Sequence, residues 1–337
     1  MLLFHAWLLG KDSQREISGG TGRAFRAKVD WCWSVEVPQP AITGEIYRQI
    51  AVDGTYFQNW CLLIAYNGAH VVAWQWCDRE SKASWSALLD RISAPDVVVT
   101  DGGTGLRAAL DEHWRHTRIQ RCYFHIFQTV IRHTTRQPRL QAGKEIVDLT
   151  RELMRVRDLD AAAAWMGHYA SWETRWTVFL KERTWARAGV DRPRGVGIHQ
   201  KWWYTHQELR RVQGLYRRLI ADKSLFTWLT ESRQDPPEIA RTTSPLEGGI
   251  NAGIKALLRR HRGMSTDHAR RAVEWHLNAL TEFPNDPWEL AREHLENPEP
   301  QPRPEPKHEP LGPETYGTGL TADEGLWTRK GWAGRSH

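Results

Sequence analysis

Cysteine is scarce in this chain. There are four in 337 residues, Cys32, Cys61, Cys77 and Cys122, and no two are spaced as C-x-x-C. That spacing excludes a zinc ribbon local in sequence and offers no disulfide framework, so reduced thiols in a cytosolic setting are expected. Long apolar runs are missing as well. No stretch reaches the roughly 18–20 residues of a membrane span, and no membrane partner is expected. The apolar start, Met1 to Leu9, is short and lacks a basic leading region and a clear cleavage site, so it is not read as a signal peptide. Charge of one sign is only mildly in excess. A net +6 and a pI near 9.2 are compatible with a polyanionic partner without requiring one. Tryptophan, by contrast, is abundant, with 19 residues. Many of them must fill contacts between helices or lie on a binding face.

Patterning divides the chain. Residues 1–44 outline a partial helical module: Phe4, Trp7, Leu8 and Leu9 form a stripe, Ser18 to Gly22 a turn, and Arg23 to Trp33 a second helix bearing Arg23, Arg26 and Lys28. Such an outline fits a helix-turn-helix DNA reader as well as a packing appendage. Its abrupt start leads us to expect a missing region upstream. Residues 45–125 are the most regular. Strands are expected at about 47–57, 60–66 and 70–77, with turns at Asn59 and Asn67-Gly68. A helix at about 80–92 follows, then a strand at 96–100, a helix from Gly105 to Trp114 and a strand from Ile119 to Phe124. This order predicts an α/β fold, a ribonuclease-H-like mixed sheet with flanking helices. Residues 126–240 lose the strand signal and read as an all-helical insertion. It has one pattern from Glu145 to Phe179, a break at Gly189 to Gly197, a helix from Trp202 to Ile220 and a loop at Asp235-Pro236-Pro237. Its tryptophans are read as core. Residues 241–283 hold a basic helical pair that ends the core. The Pro/Glu-rich segment 296–337 is too poor in apolar residues to order itself and is expected to be disordered.

Two carboxylates stand out in the regular part. Asp53 lies in the strand run Ile50–Phe57, where burial of a lone charge is costly unless a cation or donor network compensates it. Pointing into solvent from an edge strand is its bland alternative. Asp101 ends the run Val97-Val98-Val99-Thr100, at the carboxyl end of a central strand, where α/β sheets place ligands. A turn or helix-capping role is the alternative there. A third candidate is Glu247. Ser244, Pro245 and Glu247 match a capping box, which is a purely structural use. Yet Glu247, Asn251 and Lys255 follow at four-residue steps on one helix face beside Gly248-Gly249. Beyond them lie Arg259, Arg260, His261 and Arg262. Between 241 and 275 there are seven Lys/Arg against three Asp/Glu, a basic stretch placed where a phosphate backbone would pass. Cys122 and His125 supply only two metal ligands, with no second pair near in sequence. They are read as packing near the site, with His125 within reach of a carboxylate or phosphate.

Val-Asp-Gly-Thr-Tyr at 52–56, Thr-Asp-Gly at 100–102, Arg-Cys-Tyr-Phe-His at 121–125 and Ser-Pro-Leu-Glu-Gly-Gly-Ile-Asn at 244–251 together resemble mutator-like DDE transposases of bacterial insertion sequences. The resemblance covers about 45–280. It implies a ribonuclease-H-like core with a helical insertion between the second Asp and the Glu, and a catalytic, metal-binding triad on Asp53, Asp101 and Glu247. The C-x-x-H falls on Cys122 and His125 as site support. Two Mg²⁺ (or Mn²⁺) ions, about 3.5–4 Å apart, would then serve strand cleavage and strand transfer. The DNA-binding residues would be Asn251, Lys255, Arg259, Arg260, His261 and Arg262. The implied partner is double-stranded DNA, both element ends and target, bound by a homodimer or larger assembly in the cytoplasm at the nucleoid. Two alternatives remain at this level: a nuclease of the same fold without strand transfer, and a truncated, inactive DNA-binding derivative.

Overall fold

Strand β1 (Gln49–Phe57) runs through the middle of a five-stranded sheet. The computed structural model describes residues 1–20, 22–57, 60–187, 189–193, 195–233 and 238–297. The turn expected at Asn59, the loop at Asp235-Pro236-Pro237 and the tail from residue 298 onward lie outside them. β1 pairs antiparallel with β2 (Trp60–Tyr66), which pairs antiparallel with β3 (Val71–Cys77). On its other side β1 runs parallel to β4 (Val97–Thr100), and β4 runs parallel to β5 (Arg118–Arg121). The order is β3-β2-β1-β4-β5. Runs such as Val97-Val98-Val99 are buried throughout, as strands covered on both faces must be.

Three short helices precede the sheet: α1 (Leu2–Leu9), α2 (Gln14–Ser18) and α3 (Gly22–Val29), the last followed by a 3₁₀ turn at Asp30–Ser34. The helix expected from Arg23 to Trp33 therefore ends early. α4 (Lys82–Leu89) and α5 (Thr104–His113) cover one face of the sheet, packing Trp85, Leu88, Leu106 and Leu110 on Ile50, Val52, Leu63 and Val98.

Between β5 and the second covering layer lie α6 (Tyr123–Thr134), α7 (Gln141–Leu153), α8 (Leu159–Leu180), β6 (Arg183–Trp185), β7 (Trp202–Tyr204), α9 (Gln207–Ala221) and α10 (Thr227–Thr230). Trp165, Tyr169, Trp172 and Tyr216 meet in their shared core. The Trp165 and Trp172 indole N–H groups donate to the carbonyls of Leu149 and Ala142, so large apolar rings are buried without stranding a donor. Three expectations need correction. The insertion is not all helical, because β6 and β7 form an antiparallel pair. The strand expected from Ile119 to Phe124 stops at Arg121, where Cys122 takes an extended conformation and α6 begins. The helix expected from Trp202 starts only at Gln207, since Trp202–Tyr204 is strand.

A π-helical turn at Pro245–Asn251 leads into α11 (Ala252–Arg260) and α12 (Thr266–Asn278), and α13 (Pro287–Glu296) follows. Leu246, Ile250, Ile254, Val273 and Leu277 cover the second face of the sheet, on Ala51, Leu62, Ile64 and Val99. The N-terminal helices pack Phe4, Trp7, Leu8 and Phe25 against Leu257, Ala272 and Trp275 of α11 and α12. Residues 1–291 form one compact unit, and the end of α13 from Arg292 lies outside it. Among the described residues, no helix is long and apolar enough to cross a membrane.

Candidate active site

Register places the first two carboxylates. Ala51 on β1 pairs with Val99 on β4. Two residues beyond that pair, Asp53 lies within β1 and Asp101 just past the end of β4. Side chains alternate across a strand, so Asp53 shares the face of Ala51. That is the face covered by the Pro245–Asn251 turn and α11.

Asp53 is buried, 8% exposed. Its Oδ2 accepts a 2.9 Å hydrogen bond from Asn251 Nδ2. Burial first, and then the Glu247 charge, push its carboxyl up to about 7. The Asp101 and Glu80 charges add to this, while His125 opposes it. Among the described residues, the Asn251 Oδ1 is buried without a hydrogen-bond partner.

Asp101 sits in a turn. Its Oδ1 accepts from the Gly103 amide at 3.0 Å, and the Gly102 amide donates to Thr100 Oγ1 at 3.0 Å. The residue that caps α5 is Gly103, so Asp101 is not a helix cap. Gly102 has φ +82°, and the Arg121 guanidinium occupies the space a Cβ would take there. Arg121 is largely withdrawn from water. Desolvation lowers its proton affinity, against the attraction of Asp101.

Glu247 is held differently from what Ser244-x-x-Glu247 suggests. Ser244 has helical φ and ψ, and its side chain caps nothing. The hydroxyl of Thr243 instead donates to Glu247 Oε1 at 2.7 Å, and the Glu247 amide donates to the Thr243 carbonyl. The capping-box use of Glu247 is thereby overturned. The local backbone is a π-helix, a wider turn often found at functional sites. His125 Nδ1 approaches Glu247 Oε1 to 3.6 Å. Cys122 Sγ accepts from the amide of Thr243 at 3.3 Å and lies the same distance from its hydroxyl oxygen. The Cys122 sulfur is the main cause of a His125 imidazole raised to about 9, with Glu247 and Asp101 adding to it. Burial would raise the Cys122 thiol, but hydrogen bonds from His125 and Thr243 outweigh it and draw the thiol below its ordinary value.

Three neighbours escaped the sequence reasoning. Glu80 follows β3, and its carboxyl fills the space where a Cβ on Gly54 would stand. Burial and the Asp101 charge raise it above the ordinary carboxylate range. Arg121 and the fully buried Thr243 are the others. For Glu80 the signal was the glycine directly after Asp53, which leaves room for another group. Of the residues expected to face DNA, Lys255, Arg259 and Arg262 are exposed. Arg260 is exposed too, but it donates to the carbonyls of Leu9 and Gly10 at the end of α1. Two are withdrawn from any outer surface. Asn251 is buried on Asp53, and His261 is buried with its Nε2 2.9 Å from the Leu8 carbonyl.

Among the described residues, the three metal-type donors that lie within 4.8 Å of one another are those of Cys122, His125 and Glu247; Asp53, Asp101 and Glu80 are linked to this group through the charges that act on Asp53. Burial first, and then repulsion from Glu247, set Asp53 apart from an ordinary carboxylate.

Comparison with known proteins agrees in part of this region. Residues 61–187 match the model described as Transposase, Mutator family. The transposase for insertion sequence element ISRM5 of Rhizobium meliloti (strain 1021) is 32% identical over 113 residues, 31% of this chain and 27% of that protein. The match to this relative thus spans little more than a quarter of its length. The family match begins at β2 and includes Asp101, Cys122 and His125. Asp53 precedes it and Glu247 follows it.

Proposed function

From the match of residues 61–187 to the Mutator family transposase model, we propose that the chain is a DNA transposase with Asp53, Asp101 and Glu247 as its catalytic carboxylates. The reading extends to metal-dependent strand cleavage at an element end and strand transfer into target DNA. One observation carries it. Asp53 lies on the sheet face that the Pro245–Asn251 turn covers, and its carboxyl, raised first by burial, is raised further by the charges of Glu247 and Asp101. The sheet order, three antiparallel strands followed by two parallel ones, supports a ribonuclease-H-like core.

Asp53, Asp101 and Glu247 would hold divalent ions, Mg²⁺ or Mn²⁺. When bound, these supply activation of the attacking water or 3′-hydroxyl and stabilisation of the leaving oxygen. The chain's own groups prepare that arrangement. Asn251 fixes one Asp53 oxygen through its amide, leaving the other free. Thr243 fixes Glu247 from the buried side. Arg121 places a permanent positive charge beside Asp101, where a phosphate approaching the carboxylates would meet it. Lys255, Arg259 and Arg262 offer exposed charge for the DNA backbone.

The test is Asp53→Asn, a nearly isosteric change that retains an acceptor for Asn251. Cleavage and joining of DNA carrying the element end should fall at least about 100-fold, the scale lost with one stabilising group, while DNA affinity stays. Undiminished cleavage by the variant would refute the assignment. Cleavage without joining by the unaltered protein would reduce the function to that of a nuclease.

A further inference from the structure

Glu247 faces two different chemistries. Its charge reaches Asp53, whose carboxyl it raises after burial. It also meets Cys122 and His125, and one donor atom from each of Cys122, His125 and Glu247 lies within 4.8 Å of the others. Cys122 precedes α6 and His125 stands in its first turn, so the two project from one helix end. Glu247 arrives from 122 positions further along the chain, which is why the pair looks incomplete in sequence.

We propose that Cys122, His125 and Glu247 form a binding site for a thiophilic divalent ion, Zn²⁺ by preference, distinct from the proposed carboxylate site and sharing Glu247 with it. A sulfur, an imidazole nitrogen and a carboxylate with a fourth position open are an ordinary zinc donor set. Mg²⁺ avoids sulfur, so the two sites select different ions. Support from behind is already built. Thr243 is fully buried, its amide donates to the Cys122 sulfur, and its hydroxyl lies within reach of both that sulfur and Glu247 Oε1. Backing groups of this kind orient ligands. Among the described residues, His125 Nδ1 is buried without a hydrogen-bond partner. Binding releases the Cys122 thiol proton to solvent and forms the sulfur–metal bond in its place. Resting on the catalytic role of Glu247, the consequence is antagonism: a thiophilic ion draws Glu247 away from the aspartates, and the protein is silenced by the wrong metal.

Cobalt(II) is the probe, because a cysteine ligand gives it a sulfur-to-metal charge-transfer band that carboxylates cannot produce. The full chain, stripped with chelator and titrated with CoCl₂, should develop that band at one equivalent and lose it on addition of Zn²⁺. Cys122→Ser should abolish the band, His125→Gln should weaken cobalt binding, and Thr243→Val should weaken it about 10–100-fold, the usual cost of removing a supporting group. Absence of the band, or an unaltered band in Cys122→Ser, would overturn the site. Should Cys122→Ser fail to fold, a His125→Gln protein with the original band and affinity would overturn it equally. None of these readouts uses catalysis. Loss of Mg²⁺-dependent cleavage would sink the transposase reading and leave the cobalt result standing, and the reverse also holds.

Discussion

At the scale of the residue, Asp53 combines burial with repulsion, and this makes the metal-free protein sensitive to pH. The folded carboxyl titrates near 7, above the ordinary aspartate range near 4. The folded state therefore holds a proton between those values that the unfolded chain has released. That contribution to stability is present at about pH 4 and is lost as pH rises through 7. Chemical denaturation in EDTA should show stability falling over this window, and Asp53→Asn should remove much of the fall. A variant with the same pH slope as the parent would mean that Asp53 is not the group responsible. Gly102 is the second sensitive residue. Its φ of +82° and the guanidinium of Arg121 against its open side leave an added methyl no place. Gly102→Ala should cost about 1–3 kcal/mol and displace Arg121, read as a lowered denaturation midpoint. An unchanged midpoint would show that the turn yields easily.

At the scale of the element, the strands that carry Asp53 and Asp101 were legible from the sequence because each is a dense apolar run bounded by turn residues. Their adjacency was not, since register is a long-range property. The β5–α6 junction was misread for a local reason. Tyr123 and Phe124 favour strands by type, and only the buried spacing of Tyr123, Ile126 and Val130 reveals the helix. β6 and β7 escaped because three-residue strands carry almost no pattern, and a loop rich in glycine and arginine separates them. The Ser-Pro-Leu-Glu sequence suggested a capping box, but the π turn moves the work to Thr243, one residue earlier. Glu80 has no motif of its own, and the open side of Gly54 was its one signal. Within the insertion, the aromatic core makes a quantitative demand. Trp165 is fully buried among Tyr169, Tyr216 and Phe226, so Trp165→Ala should cost about 3–5 kcal/mol. Denaturant titration would check this, and a fall in stability under about 1 kcal/mol would contradict the core role.

At the scale of the whole molecule, the N-terminal helices, α11–α12 and the sheet share one continuous stack of layers, with the carboxylates where sheet and π turn meet. The N-terminal module uses its apolar side on α11 and α12, while Arg23, Arg26 and Lys28 remain outside. Because Arg260 is engaged by α1, the exposed Arg259 and Arg262 are the better probes of a DNA path. Replacing both by Ala should lower the slope of log affinity against log salt by about 2, one for each phosphate that an arginine neutralises. An unchanged slope would move the path elsewhere. All of this depends on three carboxylates serving the same ions. Crystals of the protein grown with Mn²⁺, measured at the manganese absorption edge, test that most directly. Anomalous density touching oxygens of Asp53, Asp101 and Glu247 together is the predicted result. Density bound by the aspartates with Glu247 still turned to Thr243 and His125, or no density between them at all, would contradict it.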